Sequence, residues 1–574
     1  MFKLAKYLKK YKIQSILGPL FKMTEAAFEL LVPIVMAKII DTGIRNSDKT
    51  YIYQMGAVLI LLGLLGLISS LTAQYFAAKA SMGFGTALRT SLFSHINNFS
   101  HKELDKIGVS TLITRVTSDI NQAQTGVNMI LRLFLRSPFI VLGAIVMALT
   151  INVKLTLIFL LFTPVIAFVI YLIMSKTIPI YKSVQKNQDN ISTITRENLS
   201  GIRVIRAFSK EKYEQKRFEK TSDSLLKEQL LAGRISAILN PATYVLVNIA
   251  TILIIWFGGR FTFNGDITQG EVIALVNYMS QILLALVALA NLIVIITKAQ
   301  ASAIRINDIF NIKPSLTDDN AELCSASSSI DKNIPKIEYK NVGYSYYETA
   351  EKYALKNISF KAMRGERVGI IGGTGSGKST LINLMPRFFD VTEGEILLDG
   401  NNIKKYTFEA LRKNICVVAQ KSMLFKGTVR DNIRWGKKNA TDDEIWKALE
   451  DAQASEFVKE KGLDFKISQG GKNLSGGQRQ RLSIARALVA EPNVLILDDS
   501  SSALDFATDA KLRHALKQNN NGRTTFIVSQ RATAIKDADF IIVLDNGAIS
   551  GIGTHSELLE SCETYKEICS SQLQ

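Results

Sequence analysis

The chain has 574 residues, of which 47% are hydrophobic, and its mean hydropathy of +0.15 is high for a soluble protein of this length. Apolar runs fill the first half and charged and turn-forming residues fill the second, which predicts a membrane part followed by a soluble part. Much of the net charge of +18 lies beside the apolar runs, a pattern that is typical of cytoplasmic loops and argues against a nucleic-acid partner. The four cysteines form no C-x-x-C pair, so reduced thiols in a cytosolic compartment are expected.

Six apolar segments of the first half are long enough to cross a bilayer, which takes about 20 residues. They lie near 15–41, 52–80, 126–150, 153–177, 238–263 and 269–297. Two long polar links, 81–125 and 178–237, keep a helical periodicity, so the helices are expected to continue outside the lipid bilayer. Their basic residues place both links and the N-terminus in the cytoplasm. Residues 1–311 are therefore predicted to form an all-α polytopic membrane domain with about six transmembrane helices.

Ionisable residues interrupt two of these segments. Lys22, Glu25 and Glu29 share one helical face of the first span. Because ionisable groups at membrane depth usually face a protein interior or a wet cavity, the three could line a cavity that favours cationic or amphipathic cargo. The alternative is an interfacial or interhelical ion pair. Arg132 and Arg136, one turn apart at the start of the third span, are expected at the cytoplasmic interface.

The second half begins after a linker predicted at 312–335, where a proline and a serine-rich run break the helical pattern. From Ile337 onward, short apolar strands alternate with helices. This alternation predicts an α/β domain over residues 336–574.

A glycine-rich loop in this domain fits the pattern G-x-x-x-x-G-K-[ST] at every specified position. It consists of Gly372, Gly373, Thr374, Gly375, Ser376, Gly377, Lys378 and Ser379, with Thr380 following. A predicted strand at 368–371 precedes it, and a helix is expected to have started by 381–384. The glycines let backbone N–H groups close around phosphates, Lys378 would neutralise the outer phosphates, and the Ser379 hydroxyl would complete the shell of Mg²⁺. The chain is therefore predicted to bind a nucleoside triphosphate with Mg²⁺.

A second motif identifies a family resemblance. It consists of Leu474, Ser475, Gly476, Gly477 and Gln478. With it the whole chain resembles an ABC transporter, because six spans with two long cytoplasmic links and one P-loop nucleotide-binding domain are the half-transporter plan of bacterial multidrug-type exporters. The resemblance implies ATP and Mg²⁺ as cofactors, a second half-transporter subunit as partner and a small amphipathic cargo. In that family two nucleotide-binding domains meet head to tail, and each signature motif caps the nucleotide on the phosphate loop of the other.

The resemblance assigns roles to further residues. Tyr346 matches the aromatic residue that stacks on adenine, whereas Tyr344, on the same face, fits a core tyrosine of an edge strand. Gln420 matches the glutamine that reaches Mg²⁺ and senses the membrane domain. Asp498, which ends an apolar strand, matches the carboxylate that holds Mg²⁺ through water. The remaining assigned positions are Asp505, in the D-loop along the dimer interface, and the coupling helices near Lys106–Thr114 and Ser209–Arg217.

Two catalytic positions depart from the family pattern. Asp499 stands where the family usually has the glutamate that polarises the attacking water. Its carboxylate would sit about 1.5 Å back, and a misplacement of about 1 Å can cost on the order of a hundredfold in rate. Gln530 stands where the switch histidine is usual, and glutamine can bond a γ-phosphate but carries no proton or charge. The chain's histidines all lie elsewhere: His95, His101, His514 and His555.

These departures, with the binding motifs intact, resemble the degenerate-site subunit of bacterial heterodimeric ABC exporters. They imply an ABC-type transporter ATPase whose own site binds Mg-ATP but hydrolyses it poorly, while its signature completes the catalytic site of the partner. The implied location is the bacterial plasma membrane, with the N-terminus and the nucleotide-binding domain in the cytoplasm. Two alternatives stay open: a regulatory or sensor subunit that binds ATP without transporting, and a homodimeric exporter. The six spans argue against a soluble ABC ATPase that acts on nucleic acid.

Overall fold

The computed structural model describes residues 2–318, 321–322, 333–346, 353–500, 502–520 and 522–572. The chain divides into two compact units. One comprises Met1–Asn98 and Ile107–Lys313, and the other comprises Phe99–Lys106 and Pro314–Gln574. The regular elements described in the first unit are helices, whereas the second unit combines strands and helices, so the predicted fold class is confirmed. Part of the predicted linker, 323–332, lies outside the described residues together with Cys324.

Long helices, joined by short 3-10 and π-helical segments, make up most of the chain before Pro314. They are α1 (Lys12–Lys38), α2 (Lys49–Asn97), α3 (His101–Ile107), α4 (Val109–Thr114), α5 (Ile120–Met129), α6 (Arg136–Ile151), α7 (Val153–Ser200), α8 (Ile202–Ala207), α9 (Glu211–Ala237), α10 (Leu239–Phe263) and α11 (Gln269–Asn311). Helices α2 and α7 continue well past Ala80 and Thr177, where their predicted spans end. The expectation that these helices extend into the polar links is therefore met.

Five helical runs among the described residues are long and apolar enough to cross a membrane. They are Lys49–Asn97, Val109–Ile151, Val153–Ser200, Glu211–Phe263 and Gln269–Asn311. Helix α1, at the first predicted span, is not among them and carries Lys22, Glu25 and Glu29 in its interior. That crossing stays a prediction.

Polar side chains at the short links fix where the long helices begin. Asp48 caps α2, and Asn152 caps α7 by accepting from two backbone N–H groups. Thr268 caps α11, and its hydroxyl donates to Asp41 at 2.6 Å. The other carboxylate oxygen of Asp41 accepts from the Gly270 N–H at 2.8 Å. Because caps of this kind satisfy otherwise unpaired backbone donors, they define both the helix starts and the geometry of the links.

The described residues of the second unit form three sheets. Its strands are β1 (Ile337–Tyr344), β2 (Leu355–Ala362), β3 (Arg367–Gly372), β4 (Glu393–Leu398), β5 (Asn401–Asn402), β6 (Ile415–Val418), β7 (Gly427–Thr428), β8 (Lys466–Ile467), β9 (Val494–Asp498), β10 (Thr524–Val528), β11 (Phe540–Asp545) and β12 (Ala548–Gly553). The main sheet has the order β12-β11-β3-β10-β9-β6 and is parallel except for β12. An antiparallel sheet has the order β2-β1-β4-β5, and β7 pairs with β8. Strand β1 pairs with β2 on one side and with β4 on the other. The prediction that Tyr344 belongs to an edge strand is therefore wrong.

Helices pack against these sheets around two main cores. They are α12 (Lys378–Leu384), α13 (Phe408–Asn414), α14 (Val429–Arg434), α15 (Asp442–Asp451), α16 (Ser455–Lys461), α17 (Gly476–Leu488), α18 (Phe506–Gln518), α19 (Ala532–Ile535), α20 (His555–Ser561) and α21 (Glu563–Ser571). One core joins the main sheet to the antiparallel sheet through residues such as Ile370, Phe526 and Tyr339. The other lies among α14–α18 around Leu482 and Ile445. Burial of these side chains supplies most of the driving force for the domain.

The parallel strands bring the predicted site residues to one edge of the main sheet. Val528 of β10 lies opposite Asp498 of β9 and Ile370 of β3, and Val418 of β6 lies opposite Leu497. The carboxyl ends of the four strands therefore coincide. Side chains that follow such strand ends share one crevice, the usual ligand position in parallel α/β sheets.

A short segment from the first half of the chain belongs to the second unit. The prediction places a docking helix at Lys106–Thr114, but the segment that clusters with the α/β domain is Phe99–Lys106. There the His101 ring lies 4.7 Å from the Phe388 ring. The boundary is wrong because apolar and aromatic contacts, rather than polarity along the link, decide which residues dock.

Candidate functional site

The glycine-rich loop connects the central strand β3 to helix α12. Strand β3 ends at Gly372 and α12 begins at Lys378. Gly377 has φ +98°, and a Cβ there would lie 2.8 Å from a Leu355 methyl carbon and 2.9 Å from the Ala354 carbonyl oxygen. Only glycine fits this left-handed and crowded position. The loop therefore turns tightly enough to aim backbone N–H groups at a single point.

Lys378 lies at the mouth of this loop. Its Nζ donates to the carbonyl oxygens of Gly372 at 2.8 Å and Gly373 at 2.6 Å. Burial lowers the pKa of Lys378, and the nearby carboxylates of Asp499 and Asp498 act in the opposite direction. The ammonium group is thus held beside both the loop and the acidic end of β9, where phosphates would need neutralisation.

A cleft of about 600 Å³ opens at this edge of the sheet. The predicted site residues that line it are Tyr346, Thr374, Gly375, Ser376, Gly377, Lys378, Ser379, Thr380, Gln420, Asp498, Asp499 and Gln530. Gly372 and Gly373 precede these residues at the base of the loop. The signature residues and Asp505 do not line this cleft.

Three oxygen-bearing side chains in the cleft suit Mg²⁺. The Ser379 hydroxyl donates to Asp498, and Gln420 lines the same cleft. Burial raises the pKa of Asp498, while the Ser379 hydrogen bond and the Lys378 charge lower it. A hydroxyl, a carboxylate and a side-chain carbonyl are hard ligands of the kind Mg²⁺ prefers beside phosphates. Bound there, the ion would neutralise charge on the phosphates, and Ser379, Gln420 and Asp498 would hold it.

Asp499 is fixed by its backbone and by Gln420. Its φ is +45°, a left-handed conformation that Asp tolerates better than most residues. Its N–H donates to the Val528 carbonyl at 2.9 Å, and its carboxylate accepts from the Gln420 side-chain amide at 3.0 Å. Burial raises the pKa of Asp499, and the Gln420 hydrogen bond opposes this. The short carboxylate is thus held beside Gln420.

Of the two tyrosines at the end of β1, Tyr344 lies in the core and Tyr346 lies in the cleft. Tyr344 is 5% exposed, whereas Tyr346 is 47% exposed and lines the cleft. The Tyr346 hydroxyl lies 3.0 Å from the Thr380 hydroxyl, and its ring meets those of Tyr344 and Phe389 edge-on. An aromatic surface supported in this way can stack on a planar base.

Six further lining residues are not among the predicted ones: Tyr353, Ala354, Val528, Ser529, Asn546 and Gly547. Asn546 and Gly547 both have positive φ and form the two-residue turn between β11 and β12. An Asn-Gly pair between two apolar runs is a strong hairpin signal that could have located this turn. Its position at the cleft could not be inferred locally.

The loop that carries Gln530 is held by the end of the chain. The side chain of Gln572 donates to the Gln530 carbonyl at 2.6 Å and accepts from the Ala532 N–H at 2.8 Å. One amide therefore bridges two positions of the loop after β10. No local motif predicts this contact, because 42 residues separate Gln572 from Gln530.

Gln572→Ala is expected to loosen the Gln530 loop. Two hydrogen bonds of about 1 kcal/mol each are lost, so amide exchange at Ala532 should rise on the order of tenfold. Hydrogen-exchange mass spectrometry of peptides that cover this loop measures it. Ser571→Ala is the matched control, since the Ser571 hydroxyl bonds only within its own helix, to the Ile568 carbonyl. Equal exchange in the two variants would show that the Gln572 side chain does not hold the Gln530 loop.

The signature motif forms the start of helix α17. Ser475 caps this helix by accepting from the Gln478 N–H at 3.2 Å, and the Gln478 side chain accepts from the Ser475 N–H at 3.0 Å. Ser475 and Gly476 are exposed, while Leu474 is buried beneath them. A Cβ at Gly477 would lie 3.2 Å from the Ala503 carbonyl oxygen. The motif thus presents an exposed hydroxyl and helix N–H groups to the outside of the domain.

Asp505 caps helix α18. It accepts from the backbone N–H of Thr508 at 2.9 Å and from its hydroxyl at 2.8 Å, and these bonds lower the pKa of Asp505. The side chain is exposed. Asp505 therefore holds the start of α18 at the surface.

The thiol of Cys416, on β6, is expected to react slowly with alkylating agents. Burial raises the pKa of Cys416 from 9.0 to about 11, so its thiolate fraction at neutral pH is about a hundredfold below that of an ordinary thiol. Mass spectrometry after maleimide labelling between pH 7 and 11, where the rate should keep climbing, provides the measurement. The unfolded chain is the control, and labelling that levels off near the ordinary pKa would contradict the assignment. Cys562 and Cys569 also form no disulfide among the described residues.

Together, the loop, the cleft and its oxygen ligands define a P-loop nucleotide-binding protein with a helical membrane domain. Comparisons with known proteins agree with this class. Residues 15–286 match the ABC transporter transmembrane region, and residues 355–502 match the ABC transporter family. The chain belongs to the ABC transporter family, as a half-subunit that carries one transmembrane and one ATP-binding domain.

Similar proteins include an uncharacterized ABC transporter ATP-binding protein of Bacillus subtilis (strain 168), YfiB, which is 38% identical over 100% of this chain and 98% of its own length. The ATP-dependent lipid A-core flippase of Hahella chejuensis is 31% identical over 88% of this chain and 86% of its own. A putative multidrug export ATP-binding/permease protein of Bacillus subtilis, YgaD, is 31% identical over 99% and 98%. The solved structure of a bacterial Atm1-family ABC exporter with ATP bound has the same fold, with a TM-score of 0.80 and 22% identity over 99% of both chains.

Proposed function

We propose that this chain is one subunit of a heterodimeric exporter that uses ATP to move small amphipathic molecules, drug-like or lipid-like, out of the cell. The names of two relatives, a lipid A-core flippase and a multidrug export protein, support the cargo class. The exporter fold supports the direction. The proposed location is the bacterial plasma membrane, with the N-terminus and nucleotide-binding domain on the cytoplasmic side, because the basic links favour that side.

The observation that carries the heterodimer is the pair Asp499 and Gln530 in a cleft whose binding residues are otherwise intact. The Asp499 carboxylate is one methylene shorter than a glutamate and is engaged by Gln420. Gln530 can donate a hydrogen bond to a γ-phosphate but cannot supply a positive charge to it. Both changes weaken hydrolysis while leaving phosphate and Mg²⁺ contacts in place, which favours a site that holds Mg-ATP for long periods.

The exposed signature, Leu474–Gln478, supports a second role. In the family each signature completes the site of the other subunit. Ser475 and the first N–H groups of α17 form a polar surface that could contact a γ-phosphate. An intact signature opposite an intact catalytic site would allow the complex to hydrolyse ATP even though this chain's own site is slow. Two copies of this chain would combine two slow sites, which argues against a homodimer.

Reconstitution into liposomes tests the proposal. The chain is purified alone and together with a second half-transporter subunit from the same cell, and ATP-driven movement of a fluorescent amphipathic dye is followed. We expect transport only from the two-chain complex. Equal transport by the second subunit alone would instead favour a regulatory or sensor role, and full transport by this chain alone would favour the homodimer.

A further inference from the structure

Three helices of the membrane domain meet at a small apolar contact with polar side chains beside it. Ala26 of α1, Ile140 of α6 and Ala285 of α11 form this contact and are almost fully buried. One turn along each helix lie Glu29, Arg136 and Gln281. Arg136 donates to the Glu29 carboxylate at 2.7 Å. The side-chain amide of Gln281 reaches the Glu29 carbonyl at 3.5 Å.

This polar group lies within the apolar length of the helices. At 1.5 Å per residue, Gln281 is about 18 Å along α11 from Gln269, and Arg136 is about 22 Å along α6 from Ile151. Both distances fall well inside the roughly 30 Å hydrocarbon thickness of a bilayer. The cytoplasmic interface stays the predicted position of Arg136, and Glu29 gives its side chain an ionic partner on another helix.

Several polar atoms of this region have no hydrogen-bond partner among the described residues although they are buried. They are Arg132 Nε, Arg136 Nε, Ser137 Oγ and Gln281 Oε1. Arg132 lies one turn before Arg136, in a π-helical segment, Ile130–Phe134, that packs against α1 and α11. Unmet polar groups at membrane depth are costly and usually mark functional sites. The region has donors and an acceptor to offer a ligand.

The charges of this region select the ligand. Lys22 pairs with Glu25 and donates to Ser70 at 3.2 Å, and Arg136 pairs with Glu29. Both carboxylates thus already have a cationic partner, which supports the ion-pair alternative and leaves little attraction for cationic cargo. Arg132 forms no ion pair with a described residue and leaves one uncompensated positive charge.

We propose that Arg132, Arg136, Ser137 and Gln281 form a binding site for the anionic head of an amphipathic molecule. The proposal rests on the export function above and specifies its cargo. Arg132 supplies the charge, the free Nε of Arg136 and the Ser137 hydroxyl donate hydrogen bonds, and Gln281 Oε1 accepts one. An apolar cavity of about 250 Å³ between α7 and α11, lined by Tyr171, Met174, Leu286 and Leu289 among others, begins five residues beyond Gln281 and can receive an alkyl chain.

Equilibrium binding without nucleotide tests the site separately from transport. The purified two-chain complex in zwitterionic nanodiscs is titrated with dansyl-labelled dodecyl phosphate and with its trimethylammonium counterpart. Wild type should prefer the phosphate. Arg132→Gln should weaken phosphate binding on the order of tenfold, since a charge-assisted contact is lost, and Arg132→Glu should reverse the preference. Arg132→Lys, which keeps the charge, should retain most of the affinity and remains informative if the other variants fail to fold.

Arg260→Gln is the matched control, because Arg260 is an exposed arginine near the end of α10. Equal affinities in Arg132→Gln and Arg260→Gln, or a wild-type preference for the cation, would overturn the site. Binding of the phosphate probe without ATP-driven movement would refute export but keep the site.

Competition distinguishes a lipid headgroup from a soluble amphiphile. Nanodiscs that contain phosphatidylglycerol should block the probe if the natural occupant is an anionic lipid. Blocking by soluble dodecyl phosphate alone would indicate a free anionic amphiphile. Failure of both to compete in wild type would contradict an anionic site.

Discussion

Ser475→Arg in this chain is expected to nearly abolish ATP hydrolysis by the proposed two-chain complex. Ser475 is exposed at the start of α17, where its hydroxyl and the helix N–H groups would contact the γ-phosphate bound by the partner. Arginine places bulk and charge at that point and removes the cap. Loss of preorganised donors to a transferring group costs on the order of a hundredfold or more in turnover. Steady-state phosphate release by the purified complex measures the effect.

Thr441→Arg is the matched control for this variant. Thr441 is also an exposed helix cap with a capping box, formed with Glu444, in the same domain. The Thr441→Arg variant loses the same kind of helix cap, worth about 1 kcal/mol, but at a position outside the signature. We expect normal turnover from Thr441→Arg. Retained turnover in Ser475→Arg would show that this signature does not serve a hydrolysing site.

Lys378→Ala separates the two sites of the complex. It removes the ammonium from this chain's own loop, so nucleotide binding at that loop should weaken strongly. Because we assign most hydrolysis to the partner's site, turnover should fall much less than in Ser475→Arg. A larger loss in Lys378→Ala than in Ser475→Arg would place hydrolysis in this chain instead.

The double variant Asp499→Glu, Gln530→His is expected to raise ATP hydrolysis at this chain's own site. The longer carboxylate recovers about 1.5 Å of reach, and a placement error of about 1 Å can account for roughly a hundredfold in rate. Histidine restores a group that can carry a proton. Glutamate tolerates the left-handed backbone of Asp499 less well than aspartate, at a cost on the order of 1 kcal/mol, which reduces stability without removing the contact.

Phosphate release by the complex, with the partner's own hydrolysis blocked, isolates this gain. Asp499→Asn paired with Gln530→His is the control, since it restores the histidine without a carboxylate and should show no increase. Equal rates for wild type and the double variant would mean that side-chain length and charge at these two positions do not limit the site.

Much of the nucleotide site was predictable because it rests on local patterns. The glycine-rich loop between a buried strand and a helix has a geometry that its own residues determine. The strands that end in Gly372, Asp498 and Val528 are parallel neighbours, so their carboxyl ends meet at one edge of the sheet. The tyrosine pair at the end of β1 also divides as expected, with Tyr344 buried and Tyr346 in the cleft. Periodicity and turn chemistry carry that information along the chain.

The errors involve contacts between residues far apart in sequence. Phe99–Lys106 joins the α/β unit through aromatic packing against Phe388, which no polarity pattern along the link reveals. The ion pair between Arg136 and Glu29 joins two helices. Gln572 reaches the Gln530 loop from the end of the chain. Each of these contacts depends on how helices and strands pack against one another. Patterns along the sequence do not show which distant residues meet.

We expect this chain's site to retain ATP while the partner's site turns it over. Azido-ATP radiolabelled at its α-phosphate, crosslinked by light during steady turnover, reports the nucleotide on each subunit after the chains are separated. The label should be mainly triphosphate on this chain and mainly diphosphate on the partner. Equal amounts of diphosphate on both chains would contradict it.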